Sequence, residues 1–313
     1  MKIKTVSIGD WSVRVGETNR MNLPVARELE EFLTNDWRRA VLKTTKHSYL
    51  GSELGIPSPI IRAEISPVPS ASPACRRLFE VEARPAGLGV FNGVLSVVGN
   101  SSAGAVTSLW KKALSTCEGI LRDPESPILD DRILAELLGI QYFEDPAHLN
   151  GQKALWVRGN GCDEKLSHLH GRSLVPISDD GRKDALVDLG LARRINGEAD
   201  LNFEESFVIK PIQGTWCRDV HIFVPHVKLT NWKGTSTRSQ ILRALSENQQ
   251  SFIEQPFIEP MPLVMGDKLG WIIWRLFFGW IDGRYTFIGG VWSWRPNVRN
   301  HGANDTMIGL LLE

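Results

Sequence analysis

Three short stretches carry side chains able to do chemistry. Glu80 and Glu82 alternate with Phe79 and Val81, so on a strand the two carboxylates share one face, about 6 to 7 Å apart. Hard oxygen ligands at that separation suit one or two Mg²⁺ ions bridging phosphates; an amphipathic strand with a wet face gives the same alternation. Arg62 and Glu64 repeat the pattern on the preceding apolar run, and Arg84, Pro85, Ala86 and Gly87 follow directly. In the second stretch, Phe-Val-Ile-Lys-Pro-Ile-Gln-Gly over 207–214, Lys210 ends an apolar run before a glycine-containing turn. From there its ammonium can reach a nucleotide phosphate or snorkel into solvent. The third, 251–260, passes from Phe252, Ile253 and Glu254 into Gln255, Pro256 and Phe257. It reads either as a strand whose backbone and carboxylates meet an adenine and a ribose or as a strand followed by a loop.

A fourth candidate is Arg275, inside the apolar run 271–294. Asp282-Gly283 is a two-residue type I′ turn signal, which sets Ile281 opposite Arg284 and Arg275 opposite Gly290. A guanidinium among Trp, Ile and Phe needs a partner, and a glycine across from it leaves room for one. A phosphate matches the planar fork of donors; an ion pair with a carboxylate is the alternative.

The elements that hold these residues follow from periodicity. Helices are expected over 22–33, with Pro24 in the first turn, and over 105–121, 131–138, 183–192 and 239–250. Strands are expected over 60–65, 77–83, 154–157, 174–176, 207–211, 219–224 and 252–258, with the hairpin at 271–294. The first two read as a hairpin with a long Ser- and Pro-rich connection. Helices alternating with short strands in the middle of the chain indicate an α/β layer. No role is evident for residues 1–50.

Composition narrows the classes. The 313 residues carry 36 Lys+Arg and 36 Asp+Glu, a formal charge of zero, which excludes an overall basic nucleic-acid binder. At 42% hydrophobic and 23% charged residues the chain is globular in character. The N-terminus has no apolar run after its lysines, and the most apolar stretch contains Arg275, Asp282 and Arg284. Neither a signal peptide nor a membrane span is therefore expected, and a soluble cytoplasmic protein is. The four cysteines, Cys75, Cys117, Cys162 and Cys217, form no Cys-x-x-Cys pair and read as free thiols. His168-x-His170 lacks a carboxylate or thiol at ligand spacing and reads as surface or structural. No serine-hydrolase, zincin or Walker motif occurs. Eleven tryptophans, five of them between 271 and 294, point to a large buried sheet or a stacking surface.

Taken in order, 207–224, the run Phe252 to Phe257, Arg275, Gly289-Gly290 and 295–302 resemble the nucleotide-binding half of ATP-grasp ligases. In that family a Lys-Pro strand holds phosphates, a hinge strand holds adenine and an arginine strand lines the triphosphate. The chain stops at Glu313, before the acidic strand and Glu-x-Asn segment that ordinarily follow. Arg62-Ala-Glu64 and the run Phe79-Glu-Val-Glu-Ala-Arg-Pro-Ala-Gly87 resemble that missing end moved to the front, as in circularly permuted ATP-grasp proteins of the glutathionylspermidine-synthetase-like group. There are two departures: the lid loop at 214–220 has one glycine where the family has several, and Glu-x-Asn appears as Glu80-x-Glu82.

The resemblance implies an α+β, circularly permuted ATP-grasp fold with an α/β pre-ATP-grasp-like segment. Residues 1–90 would carry the permuted metal-binding strands, 91–180 the substrate side, and 181–313 the lid and nucleotide-binding core. It implies ATP held by Lys183, Lys210, Gln213, Glu254, Gln255, Pro256 and Phe257, the hinge acting mainly through its backbone. Mg²⁺ would be held by Glu64, Glu80 and Glu82. Arg275 and Arg295 would stabilise the transferring phosphoryl group, with Asn297 and Asn300 as accessory ligands. Strict hairpin parity sets the two arginines on opposite faces, so both reach the site only across a β-bulge. The implied reaction is ADP-forming ligation of a small-molecule or peptide carboxylate to an amine or thiol through an acyl-phosphate. Two other readings are a catalytically inactive ATP-grasp nucleotide-binding protein and a Trp-rich ligand-binding protein whose aromatic faces form the site.

Overall fold

The computed structural model describes residues 3–8, 11–44, 58–69, 72–83, 85, 87–99, 102–122, 130–156, 174–175, 183–212, 219–225, 234–247, 251–298 and 306–313. Within them the fold is α+β with three sheets. The chain opens with β1 (Lys4–Ile8) and β2 (Trp11–Val15), an antiparallel pair, and the short β3 (Asn19–Arg20). Helix α1 (Leu23–Phe32) begins with proline in its first turn and runs through a π-helical turn, Leu33–Trp37, into α2 (Arg38–Thr44). A strict α-helix drifts by about 40° every four residues. The wide turn offsets that drift and keeps Leu29, Leu33, Trp37 and Val41 on one buried face.

Strands β4 (Ile60–Ile65) and β5 (Leu78–Glu82) form the expected antiparallel hairpin, with Arg62 opposite Glu82 and Glu64 opposite Glu80. Next come α3 (Leu88–Val98), α4 (Ala103–Ala113), β6 (Gly119–Leu121), α5 (Asp130–Leu138), β7 (Gln141–Phe143), β8 (Ala154–Trp156) and β9 (Leu174–Val175). Strands β6 to β9 make a four-stranded parallel sheet in the order β7-β6-β8-β9. The short α6 (Asp184–Asp188) precedes β10 (Arg193–Ile195), β11 (Phe207–Pro211), β12 (His221–Phe223), α7 (Arg238–Glu247) and β13 (Phe252–Pro256). These four strands form an antiparallel sheet in the order β10-β13-β11-β12. The chain closes with β14 (Met261–Met265), β15 (Lys268–Ile281), β16 (Arg284–Arg295) and β17 (Met307–Leu312).

The central sheet has nine strands drawn from both ends of the chain. Its path is β1-β2-β17-β16-β15-β4-β5, with β14 added to β15 and β3 to β17. Pairing is antiparallel except where β17 lies parallel to β2 and β3. The rear face, with Ile61, Ala63, Ile65, Leu276, Phe278 and Phe287, is buried under the α1–α2 helix. That helix also finishes the ladder. Pairing of β16 with β17 ends at Gly290, and beyond it Glu30 Oε1 accepts from the Phe287 N–H (2.7 Å) and Thr34 Oγ1 from the Tyr285 N–H (3.0 Å). Buried backbone donors are thereby satisfied without a strand. The front face is covered over one half by α3 and α4, where Phe91, Trp110 and Phe277 pack ring against ring. The parallel sheet lies behind these helices and shares their core.

Three expectations are corrected here, and one helix was not expected. The helix expected over 105–121 ends at Ala113, and Gly119–Leu121 is a strand. That expected over 183–192 contracts to Asp184–Asp188. Helix α3 carried no periodic signal because Leu88, Phe91, Val94 and Leu95 bury several of its sides at once. In the long hairpin Asp282 and Gly283 both have positive φ, 51° and 84°, as a type I′ turn requires, and Ile281 faces Arg284. The register then shifts between Leu276 and Phe278, so Arg275 faces Val291 rather than Gly290, and Leu276 takes the glycine. The extra residue lies on β16. It is built on Gly289, at φ 110°, where a Cβ would come within 2.4 Å of the Phe91 ring.

Candidate functional site

The shift decides where the arginines stand. Arg295 now faces Trp271, and Trp271 lies four residues from Arg275 on β15, so both arginines project from the front face. On the same face, the register of β15 with β4 and of β4 with β5 sets Arg275, Glu64 and Glu80 in one row. Phe277, Arg62 and Glu82 form the neighbouring row. This half of the front face is not covered by α3 and α4; it looks toward the β10–β13 sheet, whose Ile222 and Val208 pack with Trp271 and Val298.

The charged side chains interlock. Glu64 Oε1 lies 3.0 Å from Arg62 Nη2 and 3.0 Å from Arg275 Nε. Glu82 Oε2 lies 2.6 Å from Arg62 Nη2. Lys183 Nζ reaches Glu80 Oε1 at 3.3 Å. Lys210 Nζ donates to the Phe79 carbonyl (2.6 Å) and to Gln255 Oε1 (3.0 Å), and Gln255 Nε2 donates to the Leu78 carbonyl (2.7 Å). The second sheet is thus fastened to the outer edge of β5 by the two residues that the sequence marks for nucleotide contact. Arg62, Glu82, Lys183, Lys210 and Gln255 are all buried. Burial at this depth is sustained only when charges are paired and hydrogen-bonded. Among these side chains, the four cations Arg62, Arg275, Lys183 and Lys210 face three carboxylates. One positive charge is left in excess, two with Arg295.

Of the expected site residues, Lys183, Lys210, Gln255, Glu64, Glu80, Glu82, Arg275 and Arg295 therefore lie where the front of the central sheet meets the β10–β13 sheet. Glu254 does not. Alternation along β13 turns it away from Gln255, and its carboxylate pairs with Arg193 (Nε, 3.0 Å) on the far face. Pro256 ends the strand exposed, and Phe257 packs beside Trp271, its N–H bonded to the Ser206 carbonyl at 3.2 Å. Asn297 lies just beyond β16. Gln213, Asn300, the lid loop at 214–218, His168 and His170 lie outside the described residues. Arg62 was not expected as a site residue, although strand alternation already put it on the face of Glu64; the register of β4 with β5 reveals its place.

The three carboxylates supply the hard oxygens a divalent cation prefers, but each is already held by a protein cation. Among the described residues no group of three or more His, Cys, Asp or Glu side chains is spaced to hold a metal ion. As arranged, these residues do not form a metal cage.

The tryptophans resolve toward the buried-sheet reading. Trp110, Trp271, Trp292 and Trp294 are buried. The indole N–H groups of Trp110, Trp292 and Trp294 donate to the carbonyls of Ile288, Glu17 and Leu263. Cys75 and Cys117 are free thiols, and burial pushes the Cys117 thiol up to about 12; Cys162 and Cys217 lie outside the described residues. A polar cavity between β12 and α7, lined by Asp219, His221, Ser236 and Arg243 among others, contains none of the expected residues. Among the described residues no helix is long and apolar enough to cross a membrane. Compared with known proteins, the chain matches no family model and no curated protein, so the meaning of the cleft rests on its geometry.

Proposed function

We propose that the cleft between the nine-stranded and the β10–β13 sheets binds ATP. On this reading the protein is an ATP-dependent carboxylate–amine or carboxylate–thiol ligase of the circularly permuted ATP-grasp type, acting in the cytoplasm. The observation that carries the reading is the meeting of Lys183, Lys210 and Gln255 with Glu64, Glu80 and Glu82 and with Arg275 across one cleft. The carboxylates and the lysines come from segments more than a hundred positions apart in sequence, and with Arg62 and Arg295 the set carries two more positive charges than negative. Such a surface favours a polyphosphate over a neutral ligand.

The residues then divide the work. Lys210 and Lys183, on the nucleotide wall, neutralise phosphate oxygens as point charges. Gln255 orients Lys210, and the backbone around Pro256 and Phe257 borders the base. Arg275 and Arg295 face the transferring phosphoryl group and stabilise the charge that spreads over its oxygens. An oxygen of the substrate carboxylate attacks the γ-phosphorus and ADP leaves with the bond's electron pair. The amine or thiol then attacks the acyl carbon, phosphate leaves, and a proton is released. No side-chain nucleophile is consumed. The segment 91–180, whose parallel sheet shares the core of α3 and α4, supplies the substrate side. The fit of the carboxylates to magnesium depends on Arg62.

One observation favours the second reading, nucleotide binding without turnover. Each carboxylate of the cluster is engaged by a guanidinium or ammonium, an arrangement suited to holding an anion as well as to transferring one.

The test is calorimetric titration of ATP with Mg²⁺ into the wild type and Lys210→Met, with near-ultraviolet circular dichroism as a control on folding. Binding that weakens at least about tenfold in the variant supports the nucleotide cleft. ADP release on addition of carboxylate and amine pairs then separates ligase from binder. Absence of ATP binding in the folded wild type rejects both.

A further inference from the structure

Arg62 sits where the charges of the cleft are densest. Its side chain is 9% exposed, and a single nitrogen, Nη2, reaches Glu64 Oε1 at 3.0 Å and Glu82 Oε2 at 2.6 Å, bridging carboxylates from two adjacent strands. Those side chains are themselves only 12% and 4% exposed. Two carboxylates sharing one cation is the arrangement a divalent ion would adopt, at oxygen distances of about 2.0 to 2.6 Å. Arg62 and a metal therefore need the same oxygens and cannot hold them together. Nη1 lies 3.7 Å from where a Cβ on Gly87 would stand, at the amino end of α3, where the helix dipole disfavours a positive charge.

We propose that Arg62 is the resident cation of this carboxylate cluster. It neutralises Glu64 and Glu82 in the free protein and competes with divalent cations for their oxygens, so the cluster takes up such an ion only when Arg62 leaves it. The competition itself does not depend on the nucleotide reading. Only its consequence does: a polyphosphate in the cleft would offer the guanidinium another anionic partner and release the carboxylates.

Two facts set the expected direction. Removing the guanidinium takes one positive charge from a cluster of largely buried carboxylates: Glu64 keeps Arg275, while Glu82, diagonal to it on the neighbouring strand, loses the contact to Arg62. Uncompensated buried charge is strongly destabilising, and a divalent cation relieves it. The variant should therefore be less stable than the wild type in chelator and recover in the presence of the ion.

The test uses the full chain without nucleotide and Mn²⁺ as the probe. Bound Mn²⁺ is measured by loss of the free-ion electron paramagnetic resonance signal, and stability by thermal melting with and without Mn²⁺. Arg62→Met should bind Mn²⁺ at least about tenfold more tightly than the wild type and gain melting temperature with it, while the wild type gains none. Adding Glu82→Gln to the variant should abolish the gain. Equal Mn²⁺ affinity in wild type and Arg62→Met overturns the proposal, as does a folded Arg62→Met that binds no Mn²⁺. Should Arg62→Met fail to fold, Arg62→Gln replaces it. Its neutral amide removes the charge that holds both carboxylates, so its Mn²⁺ affinity should still exceed that of the wild type, and equality again overturns the assignment. A wild type that binds no ATP leaves these outcomes intact. ATP binding with unchanged Mn²⁺ affinity across the series removes Arg62 as the resident cation and leaves the nucleotide cleft standing.

Discussion

The two faces of strands β4 and β15 are made from alternate residues of the same short sequences, yet they behave as different materials. To the rear, Ile61, Ala63, Ile65, Leu276 and Phe278 are fully buried in an apolar core beneath α1 and α2. To the front, Arg62, Glu64 and Arg275 hold one another in a cleft. Apolar burial stabilises by roughly 25 cal/mol per Å², whereas a buried ion network recovers little beyond its own desolvation. The rear face therefore carries the stability of the sheet, and the front face spends its burial on holding charge in place, which the proposed function assigns to a ligand.

The strongest way to break this division is to damage the rear face and look at the front. Phe278 is 0% exposed and packs edge-on against Phe287, 5.8 Å between ring centroids. Phe278→Ala should cost about 3 to 5 kcal/mol, read from the urea midpoint. ATP affinity at a temperature where the variant is folded should stay within about threefold of wild type. A loss of affinity in step with the loss of stability would mean that the faces are not separable.

Gly289→Ala tests the junction between them. A side chain there meets the Phe91 ring and must adopt φ 110°, at an expected cost of about 2 to 4 kcal/mol. This position also sets the register that brings Arg295 to the face of Arg275. Its folded fraction should therefore show weakened ATP binding, unlike that of Phe278→Ala, and calorimetry on the two variants side by side gives the contrast. Smaller again is Glu30→Ala, which strands the Phe287 N–H at the edge of β16. It should cost about 1 to 3 kcal/mol, seen as faster hydrogen exchange at Phe287 with ATP affinity unchanged.

The parts of this picture that period-2 alternation fixes were legible beforehand. Glu80 with Glu82, Lys210 at the end of its strand and the Asp282-Gly283 turn all lie where local pattern puts them, because a strand's side chains have only two directions to take. The same rule separates Glu254 from Gln255, since the side chains of adjacent residues on a strand cannot both face one ligand. What stayed hidden depends on distant packing. Nothing local says that β16 gains a residue at Gly289; Phe91, almost two hundred positions away, occupies the space a Cβ would need. Helix α3 has no polar stripe because sheet and helices cover it on several sides. The pairing of β17 with β2 joins opposite ends of the chain, and the bridging role of Arg62 exists only once β4 and β5 are in register.

The smallest expected effect also isolates a single proton. Tyr285 is 0% exposed on the rear face, its hydroxyl donating to the Ser58 carbonyl at 2.8 Å. Burial raises its pKa well above the ordinary 10.0. The folded state therefore keeps the phenolic proton after the unfolded chain begins to lose it. The stabilisation is fully present below pH 10 and declines as pH rises beyond that value toward the folded-state pKa, at up to about 1.4 kcal/mol per pH unit. Tyr285→Phe removes one hydrogen bond, costing about 1 kcal/mol at neutral pH, and removes this group's alkaline slope with it. Denaturation midpoints measured for both proteins from pH 8 to 11 should accordingly converge as pH rises above 10. Parallel curves would show that the hydroxyl is not held protonated in the core. Divergence would place its stabilising contact on the ionised form, for which Arg38 is the cation at hand.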